Sequence, residues 1–237
     1  MDDNNRDSLI MRQQFDYDTW TYTYLLIDTD SNEAVQIDSV KEQVERDLEI
    51  FENLGIKLKY LLETHVHADH ITGAHDLREK TGAEIVYGAA ANVPCSDINI
   101  ADSATLQFGK YTVRALSTPG HTDGCTSYLV ENMVFTGDTL LIRGCGRTDF
   151  QQGSSDDLYD NVLKKLFTLP DMTLVYPAHD YKGRSVSSIG EEKKFNPRLA
   201  IGKTKEEFKA IMDNLNLAKP KKIDIAVPAN MKCGKTD

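Results

Sequence analysis

The sequence predicts an α/β fold arranged as an αββα sandwich. Three observations lead there: two runs of strand-like segments, amphipathic helices set between and after them, and no linker, repeat or low-complexity stretch in 237 residues. One core can serve chains of up to about 250 residues, so a single domain over residues 1–237 is expected.

The elements follow in order. Tyr22, Tyr24 and Leu26, then Val35 and Ile37, alternate with polar residues around a turn cluster at 28–32, which reads as a hairpin. Ser39 with Glu42 resembles a capping box for a helix whose stripe is Val40, Val44, Leu48, Phe51 and Leu54, with Gly55 as its stop. A strand at 59–62, a polar loop, a helix at 72–81 ended by Gly82 and a strand at 84–87 come next. Strands recur at 105–108, 112–116, 126–130 and 132–135, each closed by Gly, Asp or Asn signals. Ser154 with Asp157 opens a helix that Leu169 and Pro170 close, before a strand at 173–176. Thr204 with Glu207 caps a last helix through Leu215, and Pro220 and Pro228 mark the rest as an irregular tail.

Composition narrows the function. Lys and Arg number 27 against 37 Asp and Glu, a net charge of -10 that disfavours nucleic acid and anionic membrane surfaces as partners. No apolar run approaches the roughly 20 residues of a membrane span. Residues 1–8 are acidic and amide-rich, unlike a secretory or transit signal, so a cytoplasmic location is expected. Cys95, Cys125, Cys145 and Cys233 form no close pair in sequence and are expected to be incidental or packed thiols. Oligomeric state is left open, a homo-oligomer included.

The chemistry concentrates in histidines. His65, His67, Asp69 and His70 crowd into six positions just after a strand, where α/β enzymes place ligands, and metal binding explains them better than packing. Gly120-His121, Gly137-Asp138 and Ala178-His179 each follow another strand, and each can aim a donor at a common point. Imidazole and carboxylate suit zinc or iron without any cysteine thiolate. His75 lacks such company and reads as a surface residue.

His-x-His-x-Asp-His followed in order by Gly-His, Gly-Asp and Ala-His resembles the metallo-β-lactamase superfamily. Within it, the segments at 143–153 and 176–181, Asn196-Pro197-Arg198-Leu199 and the segment at 214–230 resemble the persulfide dioxygenase family, also called sulfur dioxygenases or the ethylmalonic encephalopathy protein family. The likeness runs from about Met11 to Gly234. It implies a metallo-β-lactamase-like fold and oxidation of glutathione persulfide by O2 and water to sulfite and glutathione. It also implies one Fe(II) per chain held by His65, His121 and Asp138, with no organic cofactor. His67, Asp69, His70 and His179 then act around the metal without binding it, although in related hydrolases such as glyoxalase II the same positions complete a two-zinc site. A two-zinc glutathione thioester hydrolase is therefore the alternative. No targeting leader and no fused rhodanese domain are expected, so neither mitochondrial location nor a sulfurtransferase partner carries over. For the anionic substrate, Arg147, Tyr181 and Arg184 are candidate contacts, with Arg143 and Lys182 nearby; Cys125 and Cys145 are expected to pack.

Overall fold

The computed structural model describes residues 8–236. Of the N-terminal segment read as unlike a signal, residues 1–7 lie outside the described residues. The first half supplies β1 (Leu9–Asp16), β2 (Thr21–Asp28), β3 (Glu33–Ile37), α1 (Val44–Leu54), β4 (Lys57–Leu62), α2 (Ala74–Thr81), β5 (Glu84–Gly88) and β6 (Ile98–Ile100). The second supplies β7 (Thr105–Phe108), β8 (Tyr111–Ser117), β9 (Thr126–Val130), β10 (Met133–Gly137), α3 (Ser155–Lys164), β11 (Leu174–Pro177), β12 (Ser187–Ser188), α4 (Ile189–Phe195), α5 (Lys205–Asp213) and α6 (Ile223–Asn230).

Two six-stranded sheets run β1 to β6 and β12 to β7 in neighbour order. In the first, β1, β2 and β3 pair antiparallel while β3, β4, β5 and β6 pair parallel. In the second, β7 to β10 pair antiparallel and β11 joins β10 in parallel. The fold is the expected αββα sandwich, and its three apolar layers show why. Tyr22, Tyr24 and Leu26 of β2 meet Phe108, Tyr128 and Phe135 between the sheets. Leu25 and Ile27 of the same strand face the opposite way, against Phe51 and Leu77 of α1 and α2. On the far side, Val134 and Val175 pack with Leu158, Val162 and Phe208 of α3 and α5. Covered on both faces, β2 is buried at every residue, apolar through its middle, with its polar Thr21, Thr23 and Asp28 each hydrogen-bonded.

Three expectations are corrected. Ser39 does not cap a helix: its hydroxyl donates to buried Glu63 (3.1 Å), a short 3-10 turn spans Lys41–Gln43, and α1 begins at Val44 without a side-chain cap. A buried carboxyl needs donors more than an exposed helix end does. The tail is not irregular throughout, because α6 forms with Pro228 near its end, buries Ala226 and lays Val227, with Met231 just after the helix, on the outer core. Cys95 and Cys233 are joined as a disulfide across 138 positions, a pairing that sequence spacing cannot reveal. Cys125 and Cys145 are buried, and burial pushes both thiols up to about 11, as inert packed groups require.

The disulfide ties the C-terminal segment to the loop before β6. Cys95→Ser is expected to lower unfolding free energy by about 2–4 kcal/mol. Urea denaturation with and without reductant checks this: the parent should fall to the variant's level in reductant, and the variant should not respond.

Candidate metal centre

The C-terminal ends of β4, β8, β10 and β11 come together at one end of the sandwich, each followed by a loop bearing a donor. Backbone bonds lock the loops to one another: Thr126 N to Thr64 O (2.8 Å), Ala178 N to Gly137 O (3.0 Å) and Tyr22 N to Ala178 O (2.7 Å). Gly137 turns with φ 54°, and a Cβ there would sit 2.6 Å from Thr64 Oγ1, so only glycine lets β10 deliver Asp138 beside the first loop.

The donors fall into two groups, each with its ligand atoms within 4.8 Å of one another: His65, His121 and Asp138, and His67, Asp69, His70 and His179. Every sequence-predicted donor is in one of them, and His75 is on α2 in neither. His179 links them, its Nδ1 2.7 Å from Asp138 Oδ1 and its Nε2 3.0 Å from Asp69 Oδ2.

Hydrogen-bond partners outside the cluster decide which imidazole nitrogens carry protons. Arg147 O is an acceptor only, so His121 donates from Nδ1 (2.7 Å) and leaves Nε2 bare, 3.6 Å from Asp138 Oδ2. Asp38 accepts from Thr64 N (2.8 Å), from Thr64 Oγ1 (2.9 Å) and from His67 Nε2 (3.1 Å). With its proton given to Asp38, the Thr64 hydroxyl can only accept from His65 Nδ1 (2.9 Å), which bares His65 Nε2. His67 Nδ1 is bared likewise and, with His70 Nε2, is a buried nitrogen without a partner. Orphaned nitrogens beside carboxylates fit a metal ion, and Glu63 Oε2, 3.5 Å from His67 Nε2, is a further buried atom without a partner.

Electrostatics agree. Burial, then repulsion from His67 and His121, holds His65 well below the usual imidazole range, in the neutral form a metal needs. Burial opposes ionising Asp138, but the His179 charge and hydrogen bond, then His121 and His65, outweigh it and hold the carboxyl well below its usual range. Burial also opposes charging His179, yet Asp138 and Asp69 hold it well above the usual imidazole range.

A cavity of about 830 Å³ opens over the cluster, with Trp20, Arg147, Tyr181, Lys182, Arg184 and Lys221 on its walls. The two predicted arginine contacts are already engaged. Arg147 forks onto Asp149 (2.6 and 2.7 Å) and donates to Ala218 O (2.7 Å), while Arg184 gives Nε and Nη2 to Asp180 Oδ2 (3.0 and 2.8 Å). Arg143 is bound to buried Glu192 and to Ser187 (3.1 Å). Tyr181 is exposed and stacks parallel on His179, with centroids 6.1 Å apart.

The metallo-beta-lactamase superfamily's sequence model matches residues 23–98 and 96–179. The mouse protein named persulfide dioxygenase ETHE1, mitochondrial, is 49% identical over 229 residues, covering 95% of this chain and 89% of its own length. The chain belongs to the persulfide dioxygenase family. The crystal structure of ETHE1 from Myxococcus xanthus matches with TM-score 0.93 at 53% identity, over 95% of this chain and 100% of that one. Glyoxylase B2 of Dictyostelium discoideum is similar over a shorter stretch, 36% identical across 63% of this chain and 61% of its own.

The motif pattern does not single out the residues that orient the donors in this persulfide dioxygenase family member. Asp38 follows β3 with φ 54°, and buried Asn230 gives Nδ2 to His67 O and His70 O (2.9 Å each) and takes Thr72 N (2.9 Å). Asp38 had one signal, a carboxylate at the end of an apolar strand; Asn230 had only its place in the segment at 214–230 that carries the family likeness.

Asp38→Asn puts an amide donor against Thr64 or His67, and relieving that clash moves a proton onto a nitrogen facing the cluster. Metal affinity is expected to fall about 10–100-fold, with the far-UV circular dichroism spectrum unchanged. A metal titration giving parental affinity would refute the proton assignment.

Proposed function

We propose that this persulfide dioxygenase holds one Fe(II) on His65, His121 and Asp138 and acts on glutathione persulfide, one O2 and one water supplying the three oxygens of sulfite. The observation that carries the reading is the compact set of two bare imidazole nitrogens and one ionised carboxylate, in a chain 49% identical along most of its length to a protein named for this reaction. Bound there, iron would supply redox exchange with O2 and open positions where substrate and O2 meet, which zinc, lacking redox chemistry, does not supply.

The chain's own residues do the rest. Arg147 O and Thr64 fix the ring planes of His121 and His65. His179 can hold a proton between Asp138 and Asp69, within the cluster and under the cavity. With both arginine forks engaged, Lys182 and Lys221, exposed on the cavity wall and without an ion-pair partner among the described residues, are the cations offered to glutathione carboxylates, beside Arg198, whose Nη1 donates to Cys145 O. Arg147, Tyr181 and Arg184 then shape the wall, the arginines through Asp149 and Asp180.

A two-zinc thioester hydrolase is the second reading, favoured by the bare nitrogens of His67 and His70 in the four-donor group. Oxygen uptake with glutathione persulfide separates the two, because the hydrolase would cleave a glutathione thioester anaerobically. A cytoplasmic location rests on the composition of residues 1–8; the disulfide weighs against a strongly reducing compartment, and the mouse relative is named mitochondrial. Among the described residues no helix is long and apolar enough to cross a membrane.

His121→Ala and Asp138→Ala are each expected to remove iron and oxygen uptake, since three ligands leave no spare donor. His179→Ala should keep much of its iron, more weakly held, and lose about 10–100-fold in activity. Metal analysis beside oxygen-electrode rates checks both, and iron-replete, active Asp138→Ala protein would overturn the ligand set. Lys182→Gln should raise KM about 10-fold or more with kcat unchanged, as expected for a charge-assisted contact of about 1.5–3 kcal/mol to a remote part of the substrate.

A further inference from the structure

Thr21 begins β2, is fully buried, and has no place in the ligand set just described. Its Oγ1 lies 2.8 Å from Thr19 Oγ1, 3.2 Å from His179 Nε2, 3.3 Å from Asp69 Oδ2 and 3.4 Å from His70 Nδ1. One hydroxyl proton cannot serve four neighbours, and the chain of contacts behind it decides where that proton goes.

Asp16 Oδ2 accepts from Thr19 N (2.9 Å) and from Thr19 Oγ1 (2.6 Å), and Asp16 Oδ1 accepts from Gln43 Nε2 (2.8 Å). An ionised carboxylate only accepts, so the single Thr19 hydroxyl proton is committed to Asp16. Thr19 Oγ1 must then accept, and the short 2.8 Å contact takes the Thr21 proton. That leaves Thr21 with two lone pairs facing two imidazole nitrogens, which must both be N–H. Asp69 Oδ2 shares the same two hydrogens, at 3.0 Å from His179 Nε2 and 3.1 Å from His70 Nδ1. With the hydrogen on Nδ1 facing Thr21 and Asp69, His70 Nε2 is the buried nitrogen found without a partner.

We infer that Thr21 is a positioning residue, the inner end of an Asp16–Thr19–Thr21 hydroxyl relay that fixes which nitrogens of His70 and His179 carry protons and thereby aims His179 Nδ1 at Asp138. The relay runs from the turn between β1 and β2 to the cluster, so a carboxylate that touches none of the donors sets their polarity. The same turn carries Trp20 on the cavity wall with φ 61°, a conformation that bulky residues rarely adopt, and the bonds from Thr19 to Asp16 and Thr21 hold it. The inference uses the donor cluster of the proposed iron site, but not the substrate or the reaction.

The test compares Thr21→Val, which keeps size and loses the hydroxyl, with Thr21→Ser, which keeps the hydroxyl and loses the methyl group. Cobalt(II) titration followed by visible absorption gives metal affinity, and long-range proton–nitrogen correlation spectra of metal-free, ¹⁵N-histidine-labelled protein give the protonated nitrogen of His70. The parent should show His70 protonated at Nδ1. Thr21→Val should weaken cobalt binding about 10–100-fold and leave His70 divided between its two neutral forms. Thr21→Ser should stay within about threefold of the parent, and Thr19→Val should shift in the same direction as Thr21→Val. Parental His70 protonated at Nε2, unchanged binding in Thr21→Val, or a loss in Thr21→Ser as large as in Thr21→Val would overturn the relay, the last assigning Thr21 to packing. Neither readout uses persulfide or O2, so a failed oxygen-uptake assay with these results intact would count against the proposed reaction and not against the relay.

Discussion

The site depends on a single carboxylate that touches no substrate. Asp38 accepts from the Thr64 amide, the Thr64 hydroxyl and His67 Nε2, and its own carbonyl takes the Thr23 hydroxyl at 2.7 Å. It therefore joins β2, the end of β3 and the loop after β4 while dictating the proton positions of His65 and His67. Hydrogen bonds to a buried charge are worth about 1.5–3 kcal/mol each, enough to select one imidazole tautomer over the other. Nearby Glu63 answers the same constraint differently. Burial, then the charge of Asp38, pushes its carboxyl well above the usual range, while the Ser39 and Thr72 hydroxyls satisfy one oxygen.

The fold matters to the chemistry through strand direction. The ends of β4, β8, β10 and β11 converge only because two sheets are pressed face to face by the aromatic layer around Tyr24, Tyr128 and Phe135. The C-terminal segment closes the arrangement from outside: Asn230 grips the backbone of the His67–His70 turn, and the disulfide at Cys233 anchors the chain that carries it. With loops held at both backbone and side chain, the donors meet in a preformed cluster, and catalytic geometry need not be assembled by the ligand. On the cavity wall Arg143, Arg147 and Arg184 are paired with Glu192, Asp149 and Asp180 and Lys222 with Glu42, whereas Lys182, Lys221 and Arg198 have no ion-pair partner among the described residues.

Much of this was legible in sequence, for physical reasons. The stripe of α1 with its Gly55 stop, the Ser154 cap of α3 and the capping box at Thr204 and Glu207 are local signals that the structure reproduces. The donors of His65 to His70, His121, Asp138 and His179 were readable because each follows a strand end, where side chains converge. The misses were non-local. Ser39 was read as a cap because a buried Glu63 partner cannot be seen in a local window, and α6 was read as irregular because Pro228 outweighed its apolar face. The Cys95–Cys233 bond joins segments 138 positions apart. Arg147 and Arg184 read as candidate substrate contacts, and only the folded chain shows Asp149 and Asp180 at their forks. Thr21 looked like one polar residue in an alternating strand.

In the proposed site, acceptors outside the cluster leave bare nitrogens that hold one iron. Metal content of protein purified without added metal, measured on the sample whose oxygen uptake with glutathione persulfide is recorded, tests it most directly. One iron per chain, with uptake in proportion to iron across preparations, is the expected outcome. Two zincs per chain, with no uptake and anaerobic cleavage of a glutathione thioester, would contradict it.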